Sequence, residues 1–62
     1  MFTLKFKSGI YGKSDLRENV EGVRIMSEPW EVDGVELIAL TVDYVDSPSE
    51  ELTAVQNNYR LE

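Results

Sequence analysis

Glu31 and Glu36 stand on either side of Asp33-Gly34, and a turn there sets their carboxylates opposite each other. Carboxylates that share a site split their pKa values, which is the basis of many acid–base pairs. Here the pair flanks an exposed turn with no pocket implied, so the spacing does not support catalysis. The acidic run from Asp43 to Glu51 offers oxygen atoms to a hard cation. It lacks the ligand spacing and the glycine bend of a calcium loop, and helix-start chemistry accounts better for Asp46, Glu50 and Glu51. Gly9 and Gly12, in Ser-Gly-Ile-Tyr-Gly-Lys, miss the spacing of a phosphate loop and read as turn glycines. The chain has no cysteine and no histidine, which removes thiol nucleophiles, imidazole bases and the usual zinc ligands. The reading is a protein that is not an enzyme and needs no cofactor or metal.

Contact chemistry is the stronger signal. Trp30, Val32, Val35 and Leu37 fall on one face of a hairpin, with Glu28, Glu31, Asp33 and Glu36 around them. A lone tryptophan among aliphatics and acids is the pattern of a binding anchor, since aromatic residues concentrate at interface centres. The alternative is that Trp30 folds over the rim of the core, or is turned inward by a bend at Pro29.

Charge narrows the partners. The net charge is −6 over 62 residues, and it is unevenly spread. Residues 1–24 carry +2, residues 25–62 carry −8, and no lysine or arginine occurs between Ile25 and Tyr59. Such a surface favours basic protein partners and repels nucleic-acid phosphates. Lys5, Lys7 and Lys13 make a basic patch too small to suggest nucleic-acid binding against that total. No apolar run approaches the ~20 residues of a membrane-spanning helix, and the N-terminus lacks a signal-peptide core. A cytoplasmic protein without membrane attachment is expected. Absence of cysteine agrees with a reducing compartment. Leu61-Glu62 has the look of an expression scar, leaving residues 1–60 as one small domain.

The elements that must position these residues begin with a hairpin over Gly22–Val45. Asp-Gly between apolar runs favours a type I′ turn, which needs positive φ at both central residues. Counting outward pairs Val32 with Val35, Glu31 with Glu36 and Trp30 with Leu37. Further out the count pairs Ile25 with Val42, Arg24 with Asp43, and Val23 with Tyr44. Pro29 lacks an N–H and marks an edge along Glu28–Val32. Glu31 opposite Glu36 is a like-charge pair that counts against this alignment, and a bulge around Pro29 would relieve it and shift the faces beyond that point.

Phe2-Thr3-Leu4-Lys5-Phe6-Lys7 alternates strictly and predicts a half-buried strand over 2–7. Ser8–Asn19 reads as a connector, with one helical turn at Ser14–Glu18. Ser47-Pro48-Ser49-Glu50 fits a capping box, and Leu52, Val55 and Tyr59 follow on one helical stripe, predicting a helix over 48–57. The expected fold is therefore α+β, a three-stranded antiparallel sheet covered by a short C-terminal helix. Its core would hold Phe2, Leu4, Phe6, Val23, Ile25, Ile38, Leu40, Val42 and Tyr44. A C-terminal strand would instead give an all-β, SH3-like small barrel.

The expected function is a protein-binding module, or a small regulatory or inhibitory protein, using the apolar hairpin face and its acidic rim. The alternatives are a structural subunit or homo-oligomer, in which the same face meets its own copy, and an acidic mimic of nucleic acid.

Overall fold

The strict alternation at the N-terminus forms strand β1, Phe2–Ser8. Gly9 and Gly12, at φ 68° and 63°, then turn the chain through a bond from Gly12 N–H to the Gly9 carbonyl. The returning chain is strand β2, Lys13–Ile25. The connector expected over Ser8–Asn19, with its helical turn at Ser14, is therefore mostly strand. Ladder bonds to β1 outweigh the weak local preference of so short a helical segment. Three more strands follow: β3, Trp30–Val32; β4, Val35–Tyr44; and β5, Glu50–Leu61. This computed structural model describes all of residues 1–62 and contains no helix.

The four longer strands close on themselves. The order is β2-β1-β5-β4-β3, and β2 also pairs with β4, so β1, β2, β4 and β5 form a small antiparallel barrel with β3 attached outside the closure. Two long strands make this possible by changing neighbours part-way. The first half of β2 pairs with β1, and its second half, Val20–Ile25, pairs with β4. Likewise, β5 pairs with β4 over Glu50–Val55 and with β1 over Tyr59–Leu61, with one further β1 pair, Ser8 with Ala54, across the bulge. Each changeover contains an asparagine in the left-handed region, Asn19 at φ 58° and Asn57 at 64°. Asparagine tolerates that conformation better than most residues, and the register slips beside both. Such bulges bend a strand sharply enough to turn a barrel corner.

The expected C-terminal helix is corrected to strand. Glu50 does not reach back to cap a helix; its carboxylate accepts bonds from Arg17 and Tyr44. Ser49 Oγ donates to Asp43 at 2.6 Å, so the capping residues serve a turn between β4 and β5. A ten-residue helix is marginal alone, whereas β5 gains ladder bonds on both sides and brings Leu52, Ala54 and Tyr59 against the core. The architecture is all-β, in agreement with the barrel alternative.

The hairpin register is right at the turn and wrong beyond it. Trp30, Glu31 and Val32 face Leu37, Glu36 and Val35, as the count predicts. Ile25, however, faces Leu40 rather than Val42, and Arg24 faces Thr41 rather than Asp43. Met26–Pro29 holds four residues where Ile38 and Ala39 stand opposite, a bulge with two extra residues. An even offset preserves which face each side chain occupies. Arg24 still reaches Asp43 diagonally, with two bonds of 2.9 Å, as long side chains on neighbouring strands can.

The core comprises Leu4, Phe6, Val20, Ile38, Leu40, Val42 and Ala54, with Val23, Tyr44, Leu52 and Tyr59 packed at its margin. Two expected members lie elsewhere: Phe2 is 46% exposed and Ile25 is 60% exposed. Both sit at strand ends that run past the closed part of the barrel. Leu61 and Glu62, set aside as a scar, extend the ladder with β1. Leu61 faces Leu4, and Glu62 and Thr3 exchange backbone bonds of 2.8 and 2.9 Å.

Candidate partner-binding surface

Asp33 and Gly34, at φ 51° and 80°, form the turn that positive-φ residues favour. It fixes the faces of the hairpin tip. Trp30 and Leu37 are direct partners, as are Val32 and Val35, and pleating sends all four side chains to one side. Glu31 and Glu36, also partners, point to the other side. The structure therefore brings the apolar four together but separates them from two of the four expected rim acids. The tip is two-faced, apolar on one side and acidic on the other, with exposed Glu28 and Asp33 at its ends.

Exposure divides the apolar four. Trp30 is 39% exposed, Val32 and Val35 are half-buried, and Leu37 is 5% exposed. Leu37 lies between Trp30 of β3 and Val55 of β5 in register. Its side chain is covered, beneath the exposed part of this face. Glu28, Glu31, Asp33 and Glu36 are exposed and form no ion pair within the chain.

The backbone adds a feature of its own. β3 pairs with β4 alone, leaving one edge open, and Pro29 precedes it without a donor. Ile25, at the end of β2, and Met26, in the bulge, are also exposed, at 60% and 56%, but Ile25 faces Leu40 and so lies on the opposite face from Trp30. Ile25 was assigned to the core from sequence. It keeps the core face, opposite Leu40, but sits at the end of β2 past the closed part of the barrel, and where the barrel closes depends on tertiary structure.

A second constellation was not visible in the sequence. Arg17, from β2, donates through Nε to Glu50 Oε1 at 3.0 Å, and its Nη1 lies 3.0 Å from Asp15 Oδ2. Its guanidinium carbon stands 5.4 Å from the centre of the Phe6 ring, a cation–π distance. Tyr44 donates its hydroxyl to the same Glu50 oxygen at 2.6 Å. The Tyr44 and Arg17 hydrogen bonds hold the Glu50 carboxyl below the usual range, and the Arg17 hydrogen bond does the same for Asp15. Burial, with the bond to Glu50, pushes the Tyr44 phenol up to about 12. Through these contacts the cluster ties β2, β4 and β5 together. No local pattern links Arg17 to Glu50 across 33 residues.

No group of three or more acidic side chains converges as a metal site, and no helix is long and apolar enough to cross a membrane. Comparison with known proteins finds no matching family model, no matching curated protein and no matching solved structure.

Proposed function

We propose that this chain is a non-enzymatic protein-binding module, or a small regulatory protein, that meets its partner through the outward face of the β3–β4 hairpin. The observation carrying this reading is a tryptophan 39% exposed on an edge strand, over a floor formed by Leu37. Trp30 with Val32 and Val35 would supply apolar burial. The open edge of β3 would offer main-chain bonds to an incoming strand. Glu31, Asp33 and Glu36 on the reverse face, with Glu28, would steer a basic partner without being buried by it.

The test is affinity capture from native lysate with wild type beside Trp30→Ala, with the folding and solution mass of both recorded. The expected result is a partner held by wild type and released by a folded mutant, the loss being about thirtyfold or ~2 kcal/mol for an anchor tryptophan. A partner retained by the folded mutant sinks the reading. The exposed Trp30 on a strand with one unpaired edge favours one second reading, a homodimer joined edge to edge. Wild type would then sediment as a dimer, and Trp30→Ala as a monomer.

A further inference from the structure

The outer surface opposite in charge to the hairpin tip lies across β2, β1 and β5. In register, Lys5 stands between Leu16 and Arg60, and Lys7 stands beside Ser14. These residues, with Asn57 and Asn58 of the β5 bulge, line an open groove of about 570 Å³ over Phe6 and Tyr59. The groove gathers three of the six cationic side chains of a chain whose net charge is −6. Asp15 also lines it, but its carboxylate is engaged by Arg17.

Two cations here already converge on a carboxylate. Glu62 accepts from Lys5 Nζ at 3.0 Å and from Arg60 Nε at 2.6 Å, one oxygen to each. Lys7 has no carboxylate partner. Lys5 and Lys7 are two residues apart on one strand face, a repeat of about 6.6–6.8 Å. Side chains at alternate positions of an extended peptide share that repeat.

We propose that this groove receives an extended acidic peptide segment of a partner protein, with carboxylates at alternate positions. One carboxylate would meet Lys7 and the next would meet Lys5 and Arg60, where Glu62 is an internal competitor. Phe6 and Tyr59 turn towards the core, so the apolar side chain on the lysines' own face is Leu16, opposite Lys5 and 48% exposed, which accommodates short side chains between the acids. Screening confines the field of the acidic tip to about 8 Å at physiological ionic strength, so the local cations decide what binds. This surface is separate from the hairpin face and does not depend on it.

The probe is the hexapeptide acetyl-Glu-Ala-Glu-Ala-Glu-Ala-amide, titrated into the labelled full chain and followed by amide chemical shifts. The expected result is saturable shifts in β1 and at Asn57–Arg60, abolished by replacing each peptide Glu with Gln and weakened at raised salt. Lys7→Gln should weaken binding up to about fivefold, the scale of one exposed ion pair. Glu62→Gln, which frees Lys5 and Arg60 while keeping the backbone bonds to Thr3, should tighten it severalfold. The amide spectrum of each variant reports its fold at the same time. The proposal is overturned by equal binding of the Gln peptide, by indifference to Lys7→Gln in a folded variant, or by no tightening in a folded Glu62→Gln. Tighter binding of a six-nucleotide single-stranded DNA overturns it too, as would shifts that follow protein concentration alone, which indicate a second copy in the groove.

Discussion

The closed barrel and the hairpin tip are built from the same strand chemistry and end with opposite properties. In the barrel every strand has a neighbour on each side, and the seven-residue apolar core is enclosed. Its mouth is tied by the Arg17–Glu50–Tyr44 cluster, in which each charge has a partner. In the tip, β3 has one neighbour, its tryptophan faces solvent, and its acids have no ion-pair partners. The difference is that buried apolar surface and paired charge gather where the strands close, while the tip holds exposed apolar surface and unpaired acids.

The largest expected effect tests that division directly. Leu40 is 1% exposed at the centre of the core, and Leu40→Ala should cost about 2–5 kcal/mol. At roughly 0.05–0.15 kcal/mol per residue, a 62-residue domain has about 3–9 kcal/mol in total, so this is a large fraction of it. Urea titration should find the midpoint of Leu40→Ala sharply lowered. Trp30→Ala, measured the same way, should shift stability by about 1 kcal/mol or less, since the side chain loses one face of packing and leaves no enclosed cavity. Comparable losses from the two substitutions would show that the tip belongs to the core and would remove the contrast.

The same division explains what the sequence makes legible. β1 and the Asp33-Gly34 turn are local: strict alternation and a positive-φ dipeptide act within a few residues, and both are found where expected. The pairs nearest the turn, Trp30/Leu37 and Val32/Val35, follow from it. The C-terminal segment is not local. Leu52, Val55 and Tyr59 fit a helical stripe as well as a bent strand, and pairing with β4 and β1 decides between them. Asn57, in the left-handed region, interrupts the segment locally, but an asparagine in that conformation suits a strand bend as well as a helix end. The apolar hairpin face was readable because pleating preserves it through an even bulge. The exposure of Ile25 and the Arg17–Glu50 contact were not, because each exists only once the barrel closes.

The barrel mouth should reveal itself in the pH dependence of stability. Glu50 and Asp15 have folded pKa values below their ordinary ones. Their contribution is therefore present above the unfolded carboxylate pKa of about 4 and is lost as pH falls through the lower folded values. Tyr44 behaves in the opposite sense. With its phenol raised from 10.0 to about 12, the native state favours the neutral form, so its contribution is complete below pH 10 and disappears as pH rises towards 12. Urea midpoints across pH 9–12 should fall more steeply for wild type than for Tyr44→Phe. Identical slopes would mean that the Tyr44–Glu50 bond does not hold the mouth in solution. Tip substitutions should leave this alkaline slope unchanged.

The smallest effect on stability should carry the most information about the tip. Glu31 and Glu36 face each other across the hairpin, and like charges in that position are mildly unfavourable, on the order of 0.2–1 kcal/mol relative to neutral pairs. Solvent and salt reduce that cost near an exposed turn. Glu36→Lys converts the repulsion to attraction and should raise the urea midpoint slightly, by a few tenths of a kcal/mol. If the acids steer a basic partner, the same substitution should lower the association rate and flatten its salt dependence, with less effect on dissociation. A variant that is more stable yet captures its partner more slowly would show that the like-charge pair is retained for recognition. A variant that gains stability with unchanged association would assign the acids to solubility alone and leave recognition to Trp30 and its aliphatic neighbours.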